Sequence, residues 1–124
     1  DPDLIVCCYG GMSKLAMDSI KEAFVNFEIN VGVVVFTKIF PISQFDIDLV
    51  LKLGNKFLFL DESTASYSWG SEIISSIVER KIQGYYFSRL NSKPGVIPSS
   101  KEKEILHLPN QDKLLQEIEK LYEI

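Results

Sequence analysis

One histidine, one tryptophan and two cysteines are found among the 124 residues, and each scarcity removes a class of chemistry. His107 has no second imidazole to share a metal with and no Ser-His spacing around it, so it reads as a structural or surface residue. Cys7 and Cys8 are adjacent, and in extended chain adjacent side chains point to opposite faces. That suits neither a common metal nor an ordinary disulfide, so both read as buried, reduced thiols. Basic excess is also missing: 13 Lys plus Arg against 17 Asp plus Glu leave a net charge of −4, which gives no general attraction to nucleic-acid backbones or anionic lipid. The longest apolar runs, such as Val31 to Phe36, fall far short of the roughly 20 residues of a membrane-spanning helix, and no basic segment precedes an apolar stretch at the N-terminus. A cytoplasmic protein without membrane or nucleic-acid partners is expected. Low-complexity segments, tandem repeats and internal linkers are absent as well, so residues 1–124 read as one domain. The start at Asp1-Pro2, a strand following two residues later, suggests a domain excised or processed from a longer chain.

What is present is an alternation of strand and helix signals. Leu4 to Tyr9 is a continuous apolar run closed by Gly10-Gly11, as expected of a parallel strand covered on both faces. Met12, Leu15, Ala16, Ile20, Ala23, Phe24 and Phe27 then fall on one helical stripe, with Ser13, Lys14, Asp18, Lys21 and Glu22 opposite. Val31 to Phe36 is rich in β-branched residues and predicts a second strand, and Phe40-Pro41 stops a helix from running through. Ser43 or Asp46 would cap a short helix carrying Ile47, Leu49, Val50, Leu51 and Leu53, ended by Gly54-Asn55. Phe57 to Leu60 is the third strand, Ile73, Ile74, Ile77 and Val78 mark a third helix, and Tyr85 to Phe87 a fourth strand. Residues 91–103, with Pro94, Gly95 and Pro98, predict a surface connection. Leu114, Leu115, Ile118, Leu121 and Tyr122 recur at helical spacing in a terminal helix. This order predicts an α/β fold, a three-layer α/β/α sandwich around a mostly parallel sheet.

The most informative stretch is Lys56 to Leu60 with Asp61-Glu62, the polar segment Ser63 to Ser68, and then Trp69-Gly70-Ser71-Glu72. An apolar strand ends in two acids and re-enters a helix, so the loop lies at the carboxyl end of a strand, where open α/β sheets build their sites. It holds no His, Cys, Lys or Arg, which leaves it without the usual parts for nucleophilic or phosphate chemistry. Gly10-Gly11-Met12-Ser13 precedes a helix N-terminus, which favours anions, but it carries neither G-x-G-x-x-G nor G-K-[ST], and Lys14 lies too far into the helix to act as a loop lysine. Asp61 and Glu62 could form an acid-base pair, but neighbours at a strand end usually diverge. A carboxylate accepting loop N–H groups or pairing across an interface is the expected role, rather than an acid-base pair. Trp69, beside Tyr67, is either a partner anchor or buried within the domain.

Several short blocks in one order carry a family resemblance. Leu4 to Met12, with its strand, Gly turn and Met, resembles the opening of the C-terminal domain of transketolase-like enzymes, and Ala16 falls where those proteins have a small helix residue. Ile39-Phe40-Pro41 with Asp46 is similar to the Leu-x-Pro segment after the second strand. Glu62, Gly70, Glu72 and Ile73 resemble the Glu, Gly-x-Glu-Ile signature after the third. Pro98, Ser100, Glu104, Leu108 and Pro109 are similar to a proline-rich tail with its Leu-Pro pair. The nearest likeness is to the beta subunit of thiamine diphosphate-dependent 2-oxo acid dehydrogenases of the pyruvate and branched-chain type. Transketolase and deoxyxylulose phosphate synthase share the domain less closely. The chain departs from the pattern at Val35 and Thr37, where Asp and Arg are common, and at Asp61, where His often precedes the Glu.

The resemblance implies a domain that packs against its own subunit and its counterpart, as a homodimer or an alpha/beta hetero-oligomer, and that can help receive an acyltransferase core. It implies that thiamine diphosphate and Mg, with the catalytic His and Glu, belong to other domains, so that this domain holds no catalytic, cofactor or metal residue. Gly10, Pro41, Glu62, Trp69, Gly70, Glu72 and Pro109 are the motif and interface candidates. Family members usually carry a further antiparallel strand before the point matching Leu4, without which a sheet edge is exposed. Another reading is a small-molecule or regulatory module using the crevice at Gly10-Gly11 and Asp61-Glu62.

Overall fold

The computed structural model describes residues 1–64, 67–96 and 98–124. In chain order these form β1 (Leu4–Cys8), α1 (Met12–Phe27), β2 (Val31–Val35), α2 (Gln44–Leu51), β3 (Lys56–Thr64), α3 (Trp69–Glu79), β4 (Tyr86–Ser92), α4 (Lys101–His107) and α5 (Gln111–Tyr122). The four strands form one sheet in the order β2-β1-β3-β4, and every pairing is parallel. The chain winds from β1 outward to β2, returns across to β3 beside β1, and continues to β4. The direction of winding therefore reverses between β1 and β3, at the point where their carboxyl ends lie side by side.

Strand alternation divides the core into two layers. Leu4, Val6, Cys8, Leu58 and Leu60 face Ala16 and Ala23 of α1 and Leu114, Ile118 and Leu121 of α5. Their sequence neighbours Ile5, Cys7, Phe57 and Phe59 face Ile47 and Val50 of α2 and Ile73 and Ile77 of α3. Each strand of the central pair thus needs apolar residues at every position, because both of its faces are covered. Full burial of Phe57 and Phe59 is worth about 1.5–3 kcal/mol per ring by apolar transfer. The predicted opposition of the two cysteines holds: both are free and buried, one in each layer.

Boundaries depart from expectation in three places. The polar segment after the third strand begins later than predicted, since β3 continues to Thr64; of the predicted Ser63–Ser68 loop, Ala65 and Ser66 lie outside the described residues. The predicted surface connection over 91–103 is corrected at both ends: β4 runs to Ser92 and α4 starts at Lys101, while Ile97 lies outside the described residues. Polar sequence concealed both elements. β4 is an edge strand whose outward positions tolerate Ser, Arg and Asn, and α4 is nucleated by the Ser100 side chain, which accepts the Lys103 N–H. In α1, Phe24 and Phe27 sit on the predicted apolar stripe yet are exposed, whereas Ser19 is buried and donates to the Leu15 carbonyl at 2.9 Å. No helix among the described residues is long and apolar enough to cross a membrane.

Candidate functional site

Two turns meet where the winding reverses. After β1, Gly10 takes a left-handed backbone (φ +58°), which glycine adopts at little cost. Gly11 opens α1 without any side-chain cap, and the first turn of that helix contains no acid. The Ser13 hydroxyl donates back to the Gly10 carbonyl at 2.8 Å and closes the turn. The helix N-terminus, with its partial positive charge, receives its negative partner from β3: Glu62 Oε1 lies 3.6 Å from the position a Cβ on Gly11 would occupy. That placement is favourable for the carboxylate.

Asp61 points the other way and is fully buried. Its Oδ1 accepts the Ser63 N–H at 2.8 Å and its Oδ2 accepts the Gly70 N–H at 3.2 Å. The first bond bends the chain at the end of β3, as an aspartate does in a local turn. The second ties the first turn of α3 to the sheet. The bend also breaks the register: Leu60 pairs with Leu90, but the next partners are Thr64 and Ser92. Across this irregularity the buried Ser92 hydroxyl donates to the Glu62 carbonyl at 2.6 Å. The expectation that a carboxylate here serves loop amides therefore holds for Asp61, and the two acids do not act as a pair.

Trp69 is the first residue of α3 rather than a loop residue. The Ser68 hydroxyl accepts the Ser71 N–H at 3.1 Å and starts the helix. The half-buried indole meets Tyr9, Phe36 and Phe59 edge-on, with ring centroids 4.9, 5.0 and 5.7 Å away, contacts worth about 0.5–1.5 kcal/mol each beyond area burial. Packing within the domain thus accounts for most of Trp69. Gly70 follows because nothing larger fits: a Cβ there would stand 2.6 Å from the Phe59 Cβ.

Beside Trp69 lies a surface groove of about 480 Å³, lined among others by Ile39, Phe40, Tyr67, Glu72 and Ser75. The Phe40-Pro41 peptide that forms one wall is cis. Of the residues predicted to matter, Gly10, Glu62, Trp69 and Gly70 are gathered at the reversal, Glu72 lines the adjoining groove, and Pro41 lies between its lining residues Phe40 and Ile42. Pro109 is not part of it; it is buried between α4 and α5. His107 ends α4, buried, and its carbonyl accepts the Lys93 N–H at 2.9 Å. Lys14 pairs with Asp18 on the exposed side of α1 at 3.1 Å. Sequence reading missed Ser92, Tyr9 and Phe36, whose roles depend on strands distant in the chain. The Ser68 cap was visible as a serine three residues before Ser71 at a helix start.

The groups available for chemistry are few. Burial pushes the Cys8 thiol up to about 11, and burial together with the neighbouring Cys8 raises Cys7 further still, so neither is a nucleophile near neutral pH. Lys113 is shifted downward by burial and by Lys93, and its ammonium donates to the Leu106 and Leu108 carbonyls at 2.5 and 3.0 Å, closing the end of α4. No group of three or more His, Cys, Asp or Glu suited to a metal ion occurs among the described residues. The exposed Glu62 carboxylate beside the Gly10-Gly11 turn disfavours a diphosphate there by like charge.

The fold is an all-parallel α/β/α sandwich that matches a transketolase C-terminal-like domain. A solved structure described as a split gene transketolase, inactive beta4 tetramer, superposes on 99% of the chain with a TM-score of 0.82 at 13% identity. The chain spans about 40% of that protein's length. No protein-family model matches the sequence, and no curated protein matches it significantly.

Proposed function

We propose that this domain is a non-catalytic assembly module of a thiamine diphosphate-dependent enzyme. The parent best supported by the motif blocks is the beta subunit of a cytoplasmic 2-oxo acid dehydrogenase, which carries out oxidative decarboxylation with acyl transfer to lipoyl. The observation that carries this reading is the arrangement at the reversal: the buried Asp61 carboxylate is taken up by two backbone amides, and beside it Phe40 and Tyr67 are left 85% and 91% exposed. A buried acid that is satisfied internally, next to uncovered rings, suits association better than turnover. The tetrameric state named for the structural neighbour is in keeping with this, as a homo-oligomer or alpha/beta hetero-oligomer, and an acyltransferase core is a further partner. Thiamine diphosphate and Mg would be held by other domains of the parent.

Calorimetric titration of the chain with thiamine diphosphate and Mg tests the proposal: no heat of binding is expected, and micromolar affinity would refute it. The competing reading, a small-molecule module at the Gly10-Gly11 and Asp61-Glu62 crevice, meets the difficulty that the Glu62 carboxylate beside the glycine turn would repel an anion.

A further inference from the structure

The groove beside Trp69 has a chemical character of its own. Two exposed aromatic rings, Phe40 and Tyr67, flank it together with Trp69 and one carboxylate, Glu72. None of its described lining residues is Lys, Arg or His, and no ion pair to Glu72 occurs among the described residues. Arg89 reaches the groove's margin from β4, where its guanidinium donates to the Ser71 hydroxyl. Ring faces are electron-rich, so rings and carboxylate bias the groove toward a cation. Its walls are also set in advance: the Ser68 cap and the Asp61 to Gly70 bond hold the α3 turn that bears Glu72, and the Trp69 ring is held edge-on by three others.

Those features select among occupants. A neutral apolar side chain would desolvate Glu72 without a counter-charge, which is costly, and an anion would be repelled. A lysine ammonium is compact and strongly hydrated, whereas a guanidinium is planar, weakly hydrated, stacks on rings and matches a carboxylate with parallel donors. The volume lies within the ~300–1,000 Å³ usual for sites that enclose a side chain or small ligand.

We propose that this groove receives an arginine side chain from a neighbouring protein chain, its guanidinium against the Phe40 and Tyr67 rings and paired to Glu72. The proposal rests on the assembly reading only for the source of the arginine; the groove's preference for the cation stands on its lining.

Trp69 is the sole tryptophan and lines the groove, so its indole N–H resonance and its fluorescence report on its occupation through one residue. The chain is titrated with the blocked peptide acetyl-Gly-Arg-Gly-amide, with the same peptide carrying neutral citrulline in place of arginine, and with tetramethylammonium as a free organic cation. A saturable shift of the indole signal by the arginine peptide in the millimolar range is expected. It should be weakened about threefold or more in Glu72→Gln and in Phe40→Ala, as the size of an exposed ion pair and of a cation–ring contact implies, and should be absent for citrulline. Both substituted side chains are exposed, and unchanged circular dichroism confirms that each variant is folded. No saturation with the arginine peptide, equal response to citrulline, or full retention in Glu72→Gln would overturn the proposal. So would binding of tetramethylammonium alone, which would make the groove a site for a free cation. Because these probes are monomeric, their result is independent of whether the chain self-associates or binds thiamine diphosphate.

Discussion

Asp61 and Gly70 are joined end to end, the buried carboxylate accepting the glycine amide at 3.2 Å, and the approach is so close that a Cβ on Gly70 would stand 2.6 Å from the Phe59 Cβ. One contact therefore fixes the residue type at both positions: an acceptor that reaches into the helix turn, and a residue with no side chain to keep it away.

Gly70→Ala is expected to destabilise the domain by about 1–3 kcal/mol, the usual effect of overpacking against a rigid strand, and Gly70→Val by more. Urea unfolding measures it. An unchanged midpoint for the valine variant would mean that α3 can move off the sheet without loss.

Asp61→Ala removes the acceptor for two N–H groups and should destabilise by about 1–3 kcal/mol, because the Gly70 amide is then buried without a partner. Asp61→Asn keeps one oxygen and should recover part of that. Equal unfolding midpoints for the two variants would show that shape, and not hydrogen bonding, matters here.

The exposed rings separate assembly from stability. Phe40→Ser and Tyr67→Ser should leave the unfolding free energy within about 0.5 kcal/mol, as surface changes do, while shifting sedimentation toward monomer. Trp69→Ala is the poorer probe of association, since losing its three ring contacts should itself destabilise the domain by about 2 kcal/mol. Sedimentation identical to that of the parent chain in both serine variants would remove this face from the assembly surface.

The thiols predict the pH dependence. Cys8 and Cys7 hold their protons more tightly when folded, Cys8 up to about 11, than in the unfolded chain, where a thiol titrates near about 8.5. Their stabilising contribution is therefore complete below the unfolded value and is lost as pH rises through the folded one. The urea midpoint should fall between about pH 8 and about pH 10.5, and the fall should be shallower in Cys8→Ala. A slope indifferent to that substitution would assign it to other groups. Over the neutral range both thiols should react with an aromatic disulfide reagent only as fast as the protein unfolds.

The sequence was most legible where one residue type had to satisfy two faces at once. Leu4 to Cys8 and Phe57 to Leu60 are apolar without interruption because helices cover both sides of those strands, and this alone announces a parallel sheet. A cap for α2 was readable as Ser43 or Asp46, and the one used is Ser43, its hydroxyl accepting the Asp46 N–H at 3.3 Å. Legibility failed where partners are distant in sequence. Nothing local to Ser92 tells that it spans the register break to Glu62, and nothing local to Phe40 tells that it shares a groove with Tyr67. β4 was clipped and α4 missed because edge strands and surface helices tolerate polar residues, which makes composition a poor guide to them.

Glu62 is placed through both of its ends: its carbonyl accepts a hydrogen bond from the fourth strand, and its exposed carboxylate stands beside the glycine turn after the first. The cleft that a doubly wound sheet would ordinarily offer to a nucleotide or phosphorylated guest thereby carries a negative charge of its own at its mouth. A single residue thus tilts that receptacle against anionic guests and leaves the aromatic rim outside it as the more hospitable surface.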